Sequence, residues 1–99
     1  MPERVHFHHF SGETSVELKH NHSFKGVTGP GIARGFSHVH EMTAPTSFNA
    51  GHRHEIKTFT GPAIPARGGH VHRYGGRTSA NGRPLHDHAY RGVTSGPAS

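Results

Sequence analysis

The sequence predicts an all-β fold of three repeats, each about 32 residues long and built from short strands or hairpins with Gly-Pro turns, with little or no helix. Three observations lead there. Six copies of His-x-His-x-Φ, where Φ is apolar or aromatic, run along the chain, and their period of two is that of a β-strand. The copies return at near-constant spacing, which marks an internal repeat. Fourteen Gly and seven Pro in 99 residues favour strands punctuated by turns, and no stretch carries a helical period.

Each repeat has a first arm, a polar loop, a second arm and a connector. First arms open at His6, His38 and His70, 32 residues apart both times; second arms open at His20, His52 and His86, with spacings of 32 and 34. The two extra residues fall in a turn-rich stretch, 79–85, that can absorb them. A Thr-Ser pair follows every first arm, at Thr14-Ser15, Thr46-Ser47 and Thr78-Ser79. After the second arms come Val27-Thr28-Gly29-Pro30, Phe59-Thr60-Gly61-Pro62 and, with one added Ser, Val93-Thr94-Ser95-Gly96-Pro97. The two arms of a repeat start about 14 residues apart, which suits an antiparallel hairpin with a moderately long loop. Gly-Pro-x-Ile makes the connector a turn. Between the paired histidines stand Phe7, Val39 and Val71 in the first arms but Asn21, Arg53 and Asp87 in the second. The first arm is therefore expected to be the inner strand, covered on both sides. The domain reading is one unit over 1–99, with repeats 6–37, 38–69 and 70–99 set about a pseudo-three-fold axis.

Composition narrows the ways such a fold can hold together. Only 29% of the residues are hydrophobic and there is no Trp, so the core is thin and a small domain of this kind needs a staple. With no Cys, disulfides are excluded, which leaves metal or self-association. The net charge is +5, but the eight arginines are scattered singly and no nucleic-acid motif occurs, so a solvated, mildly basic surface is expected and no nucleic-acid partner. Met1-Pro2-Glu3-Arg4-Val5 has no apolar signal region and no apolar run reaches membrane-spanning length. These features predict no membrane span and synthesis in the cytoplasm, with a final location outside the cell open if the protein joins an assembly.

The histidines carry the chemistry. On a strand, residues i and i+2 face the same way roughly 6.5–7 Å apart, so each His-x-His is a two-toothed clamp. Neutral imidazole suits transition-metal ions such as Fe, Zn, Ni or Cu. Two ligands do not close a structural site, so clamps must combine, and two arrangements are open. Equivalent arms of the three repeats can converge in two six-His octahedral sites: His6, His8, His38, His40, His70 and His72, and His20, His22, His52, His54, His86 and His88. Alternatively, the two arms of each repeat pair up as three four-His sites suited to zinc or copper. The number of repeats and the unlike character of the two arms favour two ions per chain over three. His9 points away from the clamps, as a surface residue or an outer partner of the ligands. The Φ residues, Tyr74 and Tyr90 included, are read as core packing. Glu41 and Glu55 follow two of the clamps, but Arg73 and Ala89 stand at the matching third-repeat positions, and no nucleophile triad or phosphate loop occurs. An enzyme is not expected.

The sequence resembles the YmaF family of short bacterial proteins with repeated His-x-His motifs and Thr-Gly-Pro-Ala-Ile-Pro connectors. Thr60-Gly61-Pro62-Ala63-Ile64-Pro65 leading into His70-Val71-His72 carries the closest match, and the resemblance runs from His6 to about Pro97. The first connector departs from it, with Gly31 and Ala33 where the second has Ala63 and Pro65. The clamps are also similar to those of contractile-phage spike tips, where three chains bring His-x-His around iron. PAAR-type spike caps, with their histidine-bound zinc, are a looser parallel, and Pro65-Ala66-Arg67 matches their motif only in part. The expected function is that of a structural metal-binding protein acting through assembly, as a spike-tip-like cap or polymer subunit. Metal sequestration or delivery is the second reading. The third is an extracellular filament subunit with metal sites at or between subunits.

Overall fold

The computed structural model describes residues 5–82 and 84–98, and every regular element among them is a strand. In chain order these are β1 (Phe7–Glu13), β2 (Ser23–Val27), β3 (Gly31–Arg34), β4 (Ser37–Pro45), β5 (Glu55–Phe59), β6 (Ala63–Ala66), β7 (Gly69–Arg77), β8 (Ala89–Val93) and β9 (Pro97–Ala98). They form three antiparallel sheets of three strands, ordered β2-β1-β9, β3-β4-β5 and β6-β7-β8. The first arms β1, β4 and β7 lie at the centre of each sheet, in line with their apolar outward residues: Val39 is buried, Phe7 and Val71 half-buried. The second arms β2, β5 and β8 are edge strands. Arg83, in the turn-rich stretch of the third repeat, lies outside the described residues, as do residues 1–4 and 99.

The connectors depart from the turn reading. Gly29-Pro30 and Gly61-Pro62 do interrupt the strands, but the residues after them extend again as β3 and β6 and pair with the first arm that follows. Ile32 lies opposite Val39 and Ile64 opposite Val71. The reason is that a central strand needs hydrogen-bonding partners on both sides, and an edge position tolerates the missing N–H of Pro65. Each sheet consequently straddles a repeat boundary. The chain's last strand, β9, takes the same place beside β1, with Phe7 opposite Ala98 and His8 opposite Pro97, so the end of the chain closes onto its beginning.

Backbone bonds link the sheets in a cycle. Gly29 N–H donates to Glu41 O, Gly61 N–H to Arg73 O and Ser95 N–H to His9 O, at 2.8–3.0 Å. At the other end of the strands, Ser47 donates to Ser23, Ser79 to Glu55 and Ser15 to Ala89, at 2.7–2.9 Å. The molecule is a short rod of 51 × 23 × 18 Å. Its apolar core is a plug at mid-length, made of Phe10, Phe24, Met42, Ala44, Ile56, Tyr74 and Tyr90. Large residues face small ones across each hairpin: Phe10 pairs with Gly26, Phe24 with Gly12, Tyr74 with Gly92 and Tyr90 with Gly76, while the middle sheet sets Met42 against Thr58 and Ile56 against Ala44. A Cβ on Gly26 would stand 2.7 Å from Phe10 Cζ, so glycine is what admits the ring.

Candidate metal centres

Alternation along each arm places the two histidines, the Φ residue and a threonine on the inward face, at relative positions 0, 2, 4 and 8. The arms of one hairpin run antiparallel, so their clamps lie at opposite ends. His22 sits beside Thr14, whose N–H donates to His22 O at 2.8 Å, and six residues of strand separate Thr14 from His8, about 20 Å. The four-His sites built within a hairpin are therefore ruled out by strand direction. Equivalent arms meet instead. His6, His8, His38, His40, His70 and His72 bring one ring nitrogen each to within 4.8 Å of one another, and His20, His22, His52, His54 and His88 do the same. His86 joins the second group, its Nε2 standing 3.1 Å from that of His52 and 3.3 Å from that of His20.

Each group has two tiers. The inner tier, His8, His40 and His72 in the first centre and His22, His54 and His88 in the second, is at most 1% exposed. Every inner Nδ1 lies 2.8–2.9 Å from a backbone carbonyl: those of Ser95, Gly29 and Gly61 in the first centre, and Ser47, Ser79 and Ser15 in the second. A carbonyl only accepts, so Nδ1 carries the proton and the neutral ring presents a bare Nε2 lone pair. All six of those Nε2 atoms are buried with no hydrogen-bond partner among the described residues. Six orphaned acceptors in a dry interior are costly unless a cation meets them.

The outer tier strengthens the case. In the second centre His20, His52 and His86 also hold Nδ1 against carbonyls, those of Leu18, Ala50 and Pro84, at 3.2, 3.1 and 2.7 Å. Their Nε2 lone pairs therefore face one another at 3.1–3.3 Å, an arrangement that repels unless a cation is shared. In the first centre the Nε2 atoms of His38 and His70 are 3.2 Å apart, and those of His70 and His6 3.1 Å. Neighbouring donors at such distances fit an octahedral shell with metal–nitrogen bonds of about 2.2–2.3 Å, slightly longer than zinc–imidazole bonds. The residues thus fit a transition-metal ion in each centre, with six mutually close donors in the first and five, with His86 beside them, in the second.

Protonation points the same way. Burial pushes His40 and His72 down from 6.5 to about 4 and lowers His8, His22, His54 and His70 as well; nearby imidazoles add to the effect, and in all but His70 a carbonyl bond pulls the other way. At neutral pH these rings are neutral, the form that binds metal. Tyr74 and Tyr90 lie in the central plug, with their phenols raised by burial. His9 is exposed, and its N–H donates to Ser95 Oγ at 3.0 Å. Glu41 and Glu55 are exposed too.

The residues that sequence reasoning passed over are the six threonines. Thr14, Thr28, Thr46, Thr60, Thr78 and Thr94 are all buried. Each accepts the backbone N–H of an inner histidine and donates to the carbonyl of the next residue. That carbonyl is the one holding an inner histidine of a neighbouring sheet. Their signal was present: a Thr stands eight residues after the first His of all six arms. The model of the YmaF family, described as spore germination protein GerY/YamF, matches residues 3–96. No curated protein and no solved structure gives a significant match.

Proposed function

Because the chain belongs to the YmaF family, matched over residues 3–96, we propose that it is a structural metal-binding protein of the spore, a β rod braced near each end by one six-histidine centre. The observation that carries this reading is the six buried Nε2 lone pairs, each ring held by a carbonyl at Nδ1 and without a protein partner at Nε2. Twelve histidines serve as ligands: His6, His8, His38, His40, His70 and His72 for one ion, and His20, His22, His52, His54, His86 and His88 for the other. Six nitrogen donors suit Fe(II) or Ni(II) better than zinc, which takes four ligands in structural sites. A full protein shell leaves no position for substrate, so the ions brace the fold and no catalysis is assigned.

The rod works through assembly, as a cap or a subunit of a polymer. Supporting this are large apolar side chains on its loops, with Phe36, Leu85, Val16 and Phe48 all more than 60% exposed. Such side chains are the kind that contact a partner.

Metal analysis of protein purified without an affinity column or added metal tests the reading. Two ions per chain are expected, bound without sulfur or oxygen donors in the absorption fine structure. Three ions per chain, or none, would overturn it.

A further inference from the structure

The two centres differ at their mouths. Above the first lies an open vestibule of about 1060 Å³, walled in part by Val5, Phe36 and Pro97 and floored by His6, His38 and His70. Among the described residues, no carbonyl bonds Nδ1 of His38 or His70, so these rings lack the anchor that fixes their counterparts. At the second centre a glycine sits against two of the outer histidines. Gly82 packs so closely that a Cβ there would stand 2.8 Å from His86 Cε1 and 3.4 Å from His52 Nε2. All three outer rings are held by the carbonyl two residues upstream, in tight loops closed by the bridges Glu17–His20, Asn49–His52 and Asn81–His86. Those loops place Leu18, Lys19 and Ala50 in the left-handed region, at φ of 51°, 66° and 53°. Non-glycine residues occupy that region only where surrounding structure enforces it.

We propose that the first centre is an exchange port, where a divalent transition-metal ion enters and leaves through the vestibule, while the second centre retains its ion. The proposal rests on the reading that both centres bind metal. Ligand release from a six-coordinate ion begins with one imidazole swinging away. At the first centre His38 and His70 turn without breaking a carbonyl bond, and a chelator reaches them through the vestibule. At the second centre the same step breaks an anchor, and Gly82 crowds His86 and His52. One molecule then combines a permanent brace with a site that takes up or surrenders metal.

The test uses the full chain loaded with two equivalents of Co(II) and challenged with excess EDTA, with retained cobalt measured over time after desalting. One equivalent should leave at least about tenfold faster than the other. Ala33→Trp, at a position lining the vestibule, should slow the fast phase several-fold and leave the slow phase unchanged. His38→Ala combined with His70→Ala should abolish the fast equivalent and preserve the slow one. Two equivalents leaving at a single rate, or a fast phase indifferent to Ala33→Trp, would overturn the proposal. Uptake of no cobalt would instead overturn the metal-binding reading beneath it.

Discussion

Thr60 shows how much of this protein is settled by single hydroxyls. Its Oγ1 accepts His40 N–H at 3.1 Å and donates to Gly61 O at 2.9 Å, and Gly61 O in turn receives His72 Nδ1–H at 2.9 Å. One side chain therefore fixes two histidines of the first centre that come from different sheets. Thr60→Val keeps the volume but strands a buried N–H and releases the carbonyl, a loss of about 1–3 kcal/mol. The expected outcome is a lower melting temperature and weaker metal retention; the same substitution at the exposed Thr43 should leave both unchanged, and calorimetry with metal analysis decides. The histidines were legible from their spacing because period 2 and a metal's need for several ligands leave few alternatives. The threonines were not, because a lone Thr on a strand is common and its role exists only once a second strand supplies the partner.

At the scale of the element, the glycines opposite the aromatics decide whether the plug closes. A Cβ on Gly92 would stand 2.4 Å from Tyr74 Oη and one on Gly76 3.0 Å from Tyr90 Oη. Tyr74 is held on its other sides by Phe10, Phe24 and Tyr90, with ring centroids 6.1–6.4 Å away, so it cannot retreat freely. Gly92→Ala should cost about 1–3 kcal/mol through overpacking, read as a lower denaturant midpoint. Gly92→Ala combined with Tyr74→Phe should recover part of the loss, because the hydroxyl is the nearest atom. Strand direction belongs to this scale as well. Antiparallel arms that both open with His-x-His must carry their clamps to opposite ends, so the two-centre grouping was implicit in the hairpin expectation. The connector strands were hidden because Gly-Pro announces a turn and says nothing of the extended residues after it.

For the whole molecule, the apolar plug is only seven side chains, and structural metal binding at about 10–16 kcal/mol for a zinc ion is large beside it. In a domain of this size each 1 kcal/mol moves the melting temperature by about 4–8 °C. Complete chelation should therefore lower it by more than about 15 °C; a chelated sample that melts unchanged would remove the bracing role. Acid acts through the same histidines. Burial holds the folded pKa values of His8, His22, His40, His54, His70 and His72 below the ordinary 6.5, at about 4 for His40 and His72, so below 6.5 the unfolded chain binds more protons than the folded one. Stability is fully present above 6.5 and falls as the pH drops towards 4. Circular dichroism of metal-free protein should show unfolding in that window, and bound metal should move the transition to lower pH, since protons must then displace the ion.

By itself the sequence determined the strand period, the tripled pattern of motifs, the histidines and how few apolar residues a core could draw on. These are local properties, carried by residue type and spacing along one chain. Only the tertiary structure decided which clamps share a centre, that six threonines tie the histidines of neighbouring sheets together, that the connectors become edge strands and that the outer histidines of the two centres are held differently. Those outcomes depend on strand direction, cross-strand register and the closure of β9 onto β1. Each is a relation between segments distant in the chain, and no spacing within a single arm encodes it.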